Sequence, residues 1–139
     1  MRGETVGSIE RGFLLLVGVG SDDAPGGERR LAEKVFHLRV FADDEGRMNR
    51  SLTDVGGAVL VVPQFTLYGD VRKGRRPSWT GAAPPEEASE RIEALCRELE
   101  KLGVRVERGA FREHMEVDLV NDGPVTLVID SDDLGEART

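Results

Sequence analysis

Ala58-Val59-Leu60-Val61-Val62-Pro63-Gln64-Phe65-Thr66-Leu67-Tyr68-Gly69 is the stretch on which the fold turns. Its first five residues are apolar without alternation, which predicts a strand buried on both faces. Pro63 closes the run, and an amide, an aromatic ring and a hydroxyl follow at once. Strand ends in α/β proteins line sites. The residue types alone leave a second reading open, a strand that simply finishes in a polar turn.

A second run of the same kind lies upstream, Phe13-Leu14-Leu15-Leu16-Val17-Gly18-Val19, and predicts another buried strand. Loop chemistry follows in Ser21-Asp22-Asp23-Ala24-Pro25-Gly26-Gly27. Residues 28–41 are expected to be helical, with Leu31, Val35 and Leu38 at i, i+4 and i+7. Asp43-Asp44-Glu45-Gly46 predicts a turn, and residues 70–85, basic and then rich in Gly and Pro, an ordered loop. Residues 86–102 give the clearest helix, with Ala88, Ile92, Leu95, Leu99 and Leu102 on one stripe and Gly103 as its stop. Residues 104–106 begin a further strand. Met115, Val117 and Leu119, then Val125, Leu127 and Ile129, alternate with other residues and predict two half-buried strands around Asn121-Asp122-Gly123-Pro124. There is no repeat or linker. The order predicts one α/β domain over residues 1–130, with a largely antiparallel sheet and two covering helices. Residues 131–139 are expected to be an acidic, frayed tail.

The 139 residues suit one domain, and 39% hydrophobic with 32% charged residues describe a soluble globular chain. No apolar run approaches the ~20 residues of a membrane span, and the first residues predict no signal peptide. The single cysteine, Cys96, forms no internal disulfide, and with His37 and His114 it is too few ligands for a zinc cluster. The expected compartment is the cytoplasm, with no metal and no cofactor. The net charge of −7 argues against coating nucleic acid non-specifically, yet Arg72-Lys73-Gly74-Arg75-Arg76 sets four positive charges in five residues.

The familiar catalytic constellations are missing. His37 falls outside the 31/35/38 stripe and His114 sits among charges, so both are expected at the surface and neither supplies a triad. Cys96 follows Leu95 on the second helix and predicts a small core residue. Two segments remain: residues 63–69, and Asn121-Asp122-Gly123-Pro124-Val125-Thr126, which also fits a plain hairpin.

At these two segments the sequence resembles the D-aminoacyl-tRNA deacylase family. Its signatures, Ser-Gln-Phe-Thr-Leu and Asn-x-Gly-Pro-x-Thr, are matched by Pro63-Gln64-Phe65-Thr66-Leu67 and by residues 121–126. Gly46-Arg47-Met48-Asn49, Asp54-Val55-Gly56-Gly57 and Arg72-Lys73-Gly74-Arg75-Arg76-Pro77-Ser78 are similar to the family as well, so the resemblance covers about residues 6–130. It implies the deacylase fold, barrel-like in its sheet, and a homodimer acting on the 3′ end of aminoacylated tRNA. It further implies a Gly123–Pro124 bond that is cis and enters the partner's site, where the two carbonyls exclude an L side chain while D-amino acids and glycine pass. Gln64 and the backbone of Phe65 and Thr66 are then the catalytic group, with the ribose 2′-hydroxyl assisting. Pro63, Trp79, Gly123 and Pro124 bind substrate, and Arg72, Lys73, Arg75 and Arg76 meet tRNA phosphates, unless the loop is only solvated charge. Thr66 as a nucleophile is a second possibility, although no base stands beside it in sequence.

The chain departs from the family pattern at several points. Pro63 replaces serine, Trp79 replaces phenylalanine, and Phe111-Arg112-Glu113-His114-Met115 stands where the family reads close to Phe-Gly-Ala-x-Met. The family's first strand, about fifteen residues with an arginine near the Gly-Pro segment, has no counterpart before Met1. The expectation is an upstream start or a lost edge strand, the latter exposing its neighbour's edge. A second functional expectation follows, a paralogue that binds tRNA ends or another partner without hydrolysis.

Overall fold

The structure, a computed structural model, describes residues 4–24 and 26–134. It opens with β1 (Gly12–Val17) and α1 (Gly27–His37), then a short hairpin of β2 (Phe41–Ala42) and β3 (Met48–Arg50). A single-turn α2 (Leu52–Val55), β4 (Ala58–Pro63) and a 3-10 turn (Phe65–Tyr68) follow. The long α3 (Pro85–Lys101), β5 (Val106–Arg108) and a second 3-10 turn (Ser131–Leu134) complete it. The α/β class and the two covering helices agree with expectation.

Strand direction does not. The main sheet runs β1-β4-β5 with both pairings parallel, Phe13 opposite Val59 and Val59 opposite Val106. The largely antiparallel sheet is therefore corrected. Each neighbouring pair is joined through a helix, and a crossover of that length returns the chain in the same direction. Among the described residues only the β2–β3 hairpin and the isolated bridges Gly20–Ala82 and Asp70–Ser78 are antiparallel. The described residues close no barrel.

The expected strands around 115–119 and 125–129 do not form. An alternating sequence makes a strand only beside a hydrogen-bonding neighbour, and no described strand flanks these residues. Val120 and Val128 are left 91% and 98% exposed. The first helix stops at His37, short of Phe41: Leu38 leaves helical geometry with ψ 133°, and Phe41 instead stacks on Phe13 at 5.1 Å within the hairpin. The one-turn α2 is an addition to the expected elements. Its signal is Ser51 and Asp54, whose carboxylate accepts the Ser51 N–H at 2.9 Å in a capping box.

The core lies between the helices and the sheet. Val59 and Val61 of β4 meet Ile92, Leu95, Cys96 and Leu99 of α3 and Ala32 and Val35 of α1. Ala58, Val59, Val61 and Val62 of β4 are buried and Leu60 is half-buried, which explains the unbroken apolar run. Arg108 at the end of β5 reaches back to Glu93 and Glu100 of α3 at 2.9 and 2.8 Å, tying strand to helix. Of the segment expected to be a tail, Ser131–Leu134 lies against α1, and residues 135–139 fall outside the described residues. Among the described residues no helix is long and apolar enough to cross a membrane.

Candidate active site

The central strand delivers the site. Pro63 pairs with Val17 at the end of β1, beyond the reach of β5, which pairs only with Val59, Leu60 and Val61. A residue without an N–H is tolerated where the ladder on one side has already ended. Gln64 N–H then donates to the Val17 carbonyl at 2.8 Å, and the chain turns into the 3-10 helix.

That turn leaves two donors free. Leu67 N–H bonds the Gln64 carbonyl at 3.2 Å and Gly69 N–H the Thr66 carbonyl at 2.9 Å. The N–H groups of Phe65 and Thr66 lie in the first turn, where helical geometry supplies no acceptor, and no described residue supplies one. Two adjacent main-chain donors on an exposed turn suit an oxyanion. The Gln64 side-chain amide donates to the Thr66 hydroxyl oxygen and so fixes both side chains. No carboxylate or imidazole among the described residues bonds Thr66 Oγ1, so the geometry provides it with no base.

Aromatic surface borders the turn. Phe65 is 57% exposed and Trp79 40% exposed, and their rings meet edge-on with centroids 5.2 Å apart. Trp79 also covers Gly69, where a Cβ would come within 2.6 Å of the indole. Glycine is needed there for close approach.

Between Gly69 and Trp79 the basic loop is closed at its base by Asp70 and Ser78, which exchange backbone hydrogen bonds of 2.7 and 2.9 Å. Arg72 folds back on Asp70: its backbone N–H and Nε each reach Oδ1 at 3.0 Å, and Nη2 reaches Oδ2 at 2.7 Å. The Arg72 guanidinium and N–H hold the Asp70 carboxyl below the usual carboxylate range. Lys73, Arg75 and Arg76 are exposed and make no ion pair among the described residues. The four cations singled out in sequence are thus one paired and three free.

The second predicted segment forms a separate exposed turn. The Gly123–Pro124 bond is cis. Asn121 spans the turn, its Oδ1 accepting the Val125 N–H at 2.9 Å and its Nδ2 donating to Thr126 Oγ1 at 2.8 Å. No hydrogen bond or ring contact of the described residues joins this turn to Gln64, Phe65 or Thr66. The structure therefore brings Pro63, Gln64, Phe65, Thr66 and Trp79 together within one chain and leaves Gly123 and Pro124 apart.

His37 and His114 are exposed, and Cys96 is fully buried, with burial pushing its thiol up. Among the described residues no group of three His, Cys, Asp or Glu side chains could hold a metal. Sequence reasoning passes over Asp70 and the clasping role of Asn121. Both carry a local signal, a short acid or amide two to four residues ahead of the N–H it caps.

Comparison with known proteins adds four findings. A family model described as D-Tyr-tRNA(Tyr) deacylase matches residues 1–130. The D-aminoacyl-tRNA deacylase of Heliobacterium modesticaldum is 55% identical over 130 residues, covering 94% of this chain and 87% of the relative. That of Thermomicrobium roseum is 58% identical over 132 residues, covering 95% and 86%. Among solved structures, the c-Myc DNA unwinding element binding protein superposes with a TM-score of 0.81 at 34% identity, over 90% of this chain and 85% of that one.

Proposed function

From the premise that this chain belongs to the D-Tyr-tRNA(Tyr) deacylase family and hydrolyses the ester of D-aminoacyl-tRNA, we propose that it does so at the turn formed by Gln64, Phe65 and Thr66. The observation that carries this placement is the pair of unpartnered Phe65 and Thr66 N–H groups on an exposed turn at the end of a buried strand. An aminoacyl ester is already activated, so positioning and charge stabilisation suffice. Water adds to the ester carbonyl carbon, assisted by the vicinal 2′-hydroxyl of the terminal ribose. The two N–H groups donate to the developing oxyanion. Collapse breaks the bond to the ribose 3′-oxygen, which leaves protonated, and the free amino acid departs. Gln64 holds Thr66 and the wall of the site, while Pro63 and the edge-on Phe65–Trp79 pair flank the substrate.

Chirality is read by the Gly123 and Pro124 carbonyls of a second copy of the chain, the active unit being a homodimer. Two observations support this arrangement: no hydrogen bond or ring contact among the described residues joins the turn to the site of its own chain, and the turn is clasped by Asn121. An L side chain meets those carbonyls, a D side chain points away from them, and glycine has none to reject, so glycyl-tRNA is also a substrate. Lys73, Arg75 and Arg76 meet phosphates of the tRNA acceptor end, with Arg72 shaping their loop. Residues 1–130 form the catalytic unit, working in the cytoplasm. The binding-only alternative is disfavoured by relatives that carry the deacylase name at 53–58% identity.

The test is Gln64→Ala. Loss of the amide that fixes Thr66 should lower kcat on D-aminoacyl-tRNA by ~10-fold or more with the circular dichroism spectrum unchanged. A wild-type rate would place the chemistry elsewhere.

A further inference from the structure

The loop that carries Lys73, Arg75 and Arg76 is exposed from Val71 to Ser78, and both of its ends are fixed. Upstream, the Gly69 N–H bonds the Thr66 carbonyl at 2.9 Å and so joins the loop to the reactive turn. Downstream, Trp79 lies against Gly69 and meets Phe65 edge-on at 5.2 Å. The chain beyond Trp79 is tied to the end of β1, Ser21 N–H to the Gly81 carbonyl and Ala83 N–H to the Val19 carbonyl, each at 2.9 Å.

Between these ends one side chain holds the loop. Among the described residues, residues 71–77 make no backbone-to-backbone hydrogen bond. The Arg72 N–H instead donates to Asp70 Oδ1 at 3.0 Å. The same carboxylate accepts from Arg72 Nε at 3.0 and 3.2 Å and from Nη2 at 2.7 Å. Asp70 also closes the base of the loop through its backbone pairing with Ser78. The Arg72 side chain is 87% exposed, and an ion pair so exposed adds little to stability. Its consequence is geometric. The carboxylate sets the direction in which the chain leaves the reactive turn, and Gly74, at φ 68°, bends it back. Lys73, Arg75 and Arg76 stand on either side of that bend.

We propose that Asp70 is a positioning residue of the hydrolytic site: by clasping Arg72 at the base of the loop it sets Lys73, Arg75 and Arg76 in register with the Phe65 and Thr66 N–H groups, so that phosphates gripped by the loop carry the ester carbonyl to those donors. The proposal deepens the functional reading above and rests on it. An anion beside a phosphate-binding loop opposes capture of a polyanion, so its removal leaves tRNA affinity undiminished. What its removal costs is register, and a misplaced ester reacts more slowly once bound.

The experiment compares wild type, Asp70→Ala and Asp70→Asn on two substrates, D-tyrosyl-tRNA and 3′-D-tyrosyl-adenosine. The second has the same ester and no phosphate. Asp70→Ala should lower kcat on the tRNA by roughly 5- to 20-fold while kcat/KM on the adenosine ester stays within about 2-fold. Affinity for uncharged tRNA, read from the fluorescence of Trp79, the chain's single tryptophan, should not fall. Asp70→Asn keeps an oxygen for the Arg72 N–H and should recover part of the rate. Exchange of the Arg72 amide should quicken in Asp70→Ala, with the Leu67 and Gly69 amides and the emission of the unbound protein unchanged. Equal losses on both esters, or altered Leu67 and Gly69 exchange, would show that Asp70 supports the turn itself and would overturn the proposal. An unchanged or raised kcat on the tRNA, or weaker tRNA binding at an unchanged kcat, would overturn it as well. Each of these outcomes presupposes an active wild type. A wild type that hydrolyses neither ester would overturn the functional reading, and the role of Asp70 in hydrolysis with it.

Discussion

At the scale of single residues the site is built from backbone and amides rather than from titrating groups. Gln64 donates to Thr66, two N–H groups stand free, and both histidines lie elsewhere on the surface. Asn121 has the same character. It makes both side-chain hydrogen bonds of the 121–126 turn, so Asn121→Ala should loosen the turn proposed to reject L-amino acids. The expected result is a rise of ~10-fold or more in hydrolysis of L-tyrosyl-tRNA relative to the D form, read from paired kcat/KM values. An unchanged ratio would count against that turn as the filter. Arg112 supplies a different kind of test. It is the one non-glycine among the described residues with positive φ, 62°, at the position where the deacylase pattern has glycine. Left-handed geometry costs a residue with a Cβ ~1–2 kcal/mol, and the greater freedom of glycine in the unfolded chain offsets part of this. Arg112→Gly should therefore raise stability by up to ~1 kcal/mol in urea denaturation, and a loss of stability would show that the arginine side chain is needed there.

At the scale of elements, the basic loop shows how a charge cluster divides into roles. Arg72 is neutralised by Asp70, whereas Lys73, Arg75 and Arg76 make no ion pair among the described residues. Replacing any of these three by alanine should reduce the slope of log K against log salt for tRNA binding by about 0.7–0.9 for each phosphate that is no longer neutralised. Arg72→Ala should change the slope less, and an equal reduction would mean that Arg72 leaves Asp70 to meet the nucleic acid. Elements are legible where burial decides them. The unbroken Ala58-to-Val62 run and the 88/92/95/99/102 stripe locate β4 and α3 to within a residue or two. They mislead where pairing decides them. Val117, Leu119, Leu127 and Ile129 alternate as strand residues do, but alternation says nothing about which neighbour will hydrogen-bond. Parallel direction is recoverable from the helix between each pair of strands, but the apparent C-terminal hairpin points to antiparallel pairing and outweighs it. The segments 63–69 and 121–126 stand out by residue type, but their roles come only through resemblance, since Gln64 and Asn121 act through hydrogen bonds that no periodicity encodes.

At the scale of the whole molecule, a chain of net charge −7 sets Lys73, Arg75 and Arg76, without ion pairs among the described residues, on one loop beside the 65–68 turn, so attraction for a polyanion there is local rather than global. The C-terminal region adds a second asymmetry, with Leu119, Val120, Leu127 and Val128 exposed on either side of the turn that would read chirality in a second copy. In the proposed reading, catalysis and discrimination reside in two separate pieces of the fold. The central claim is that together they make a hydrolase selective by rejection. The most direct measurement is release of free amino acid from matched D-tyrosyl-, glycyl- and L-tyrosyl-tRNA by the purified 139-residue chain. The account predicts that the D and glycyl esters are hydrolysed and the L ester is spared. Hydrolysis of the L ester at the rate of the D ester, or of none of the three, would contradict it.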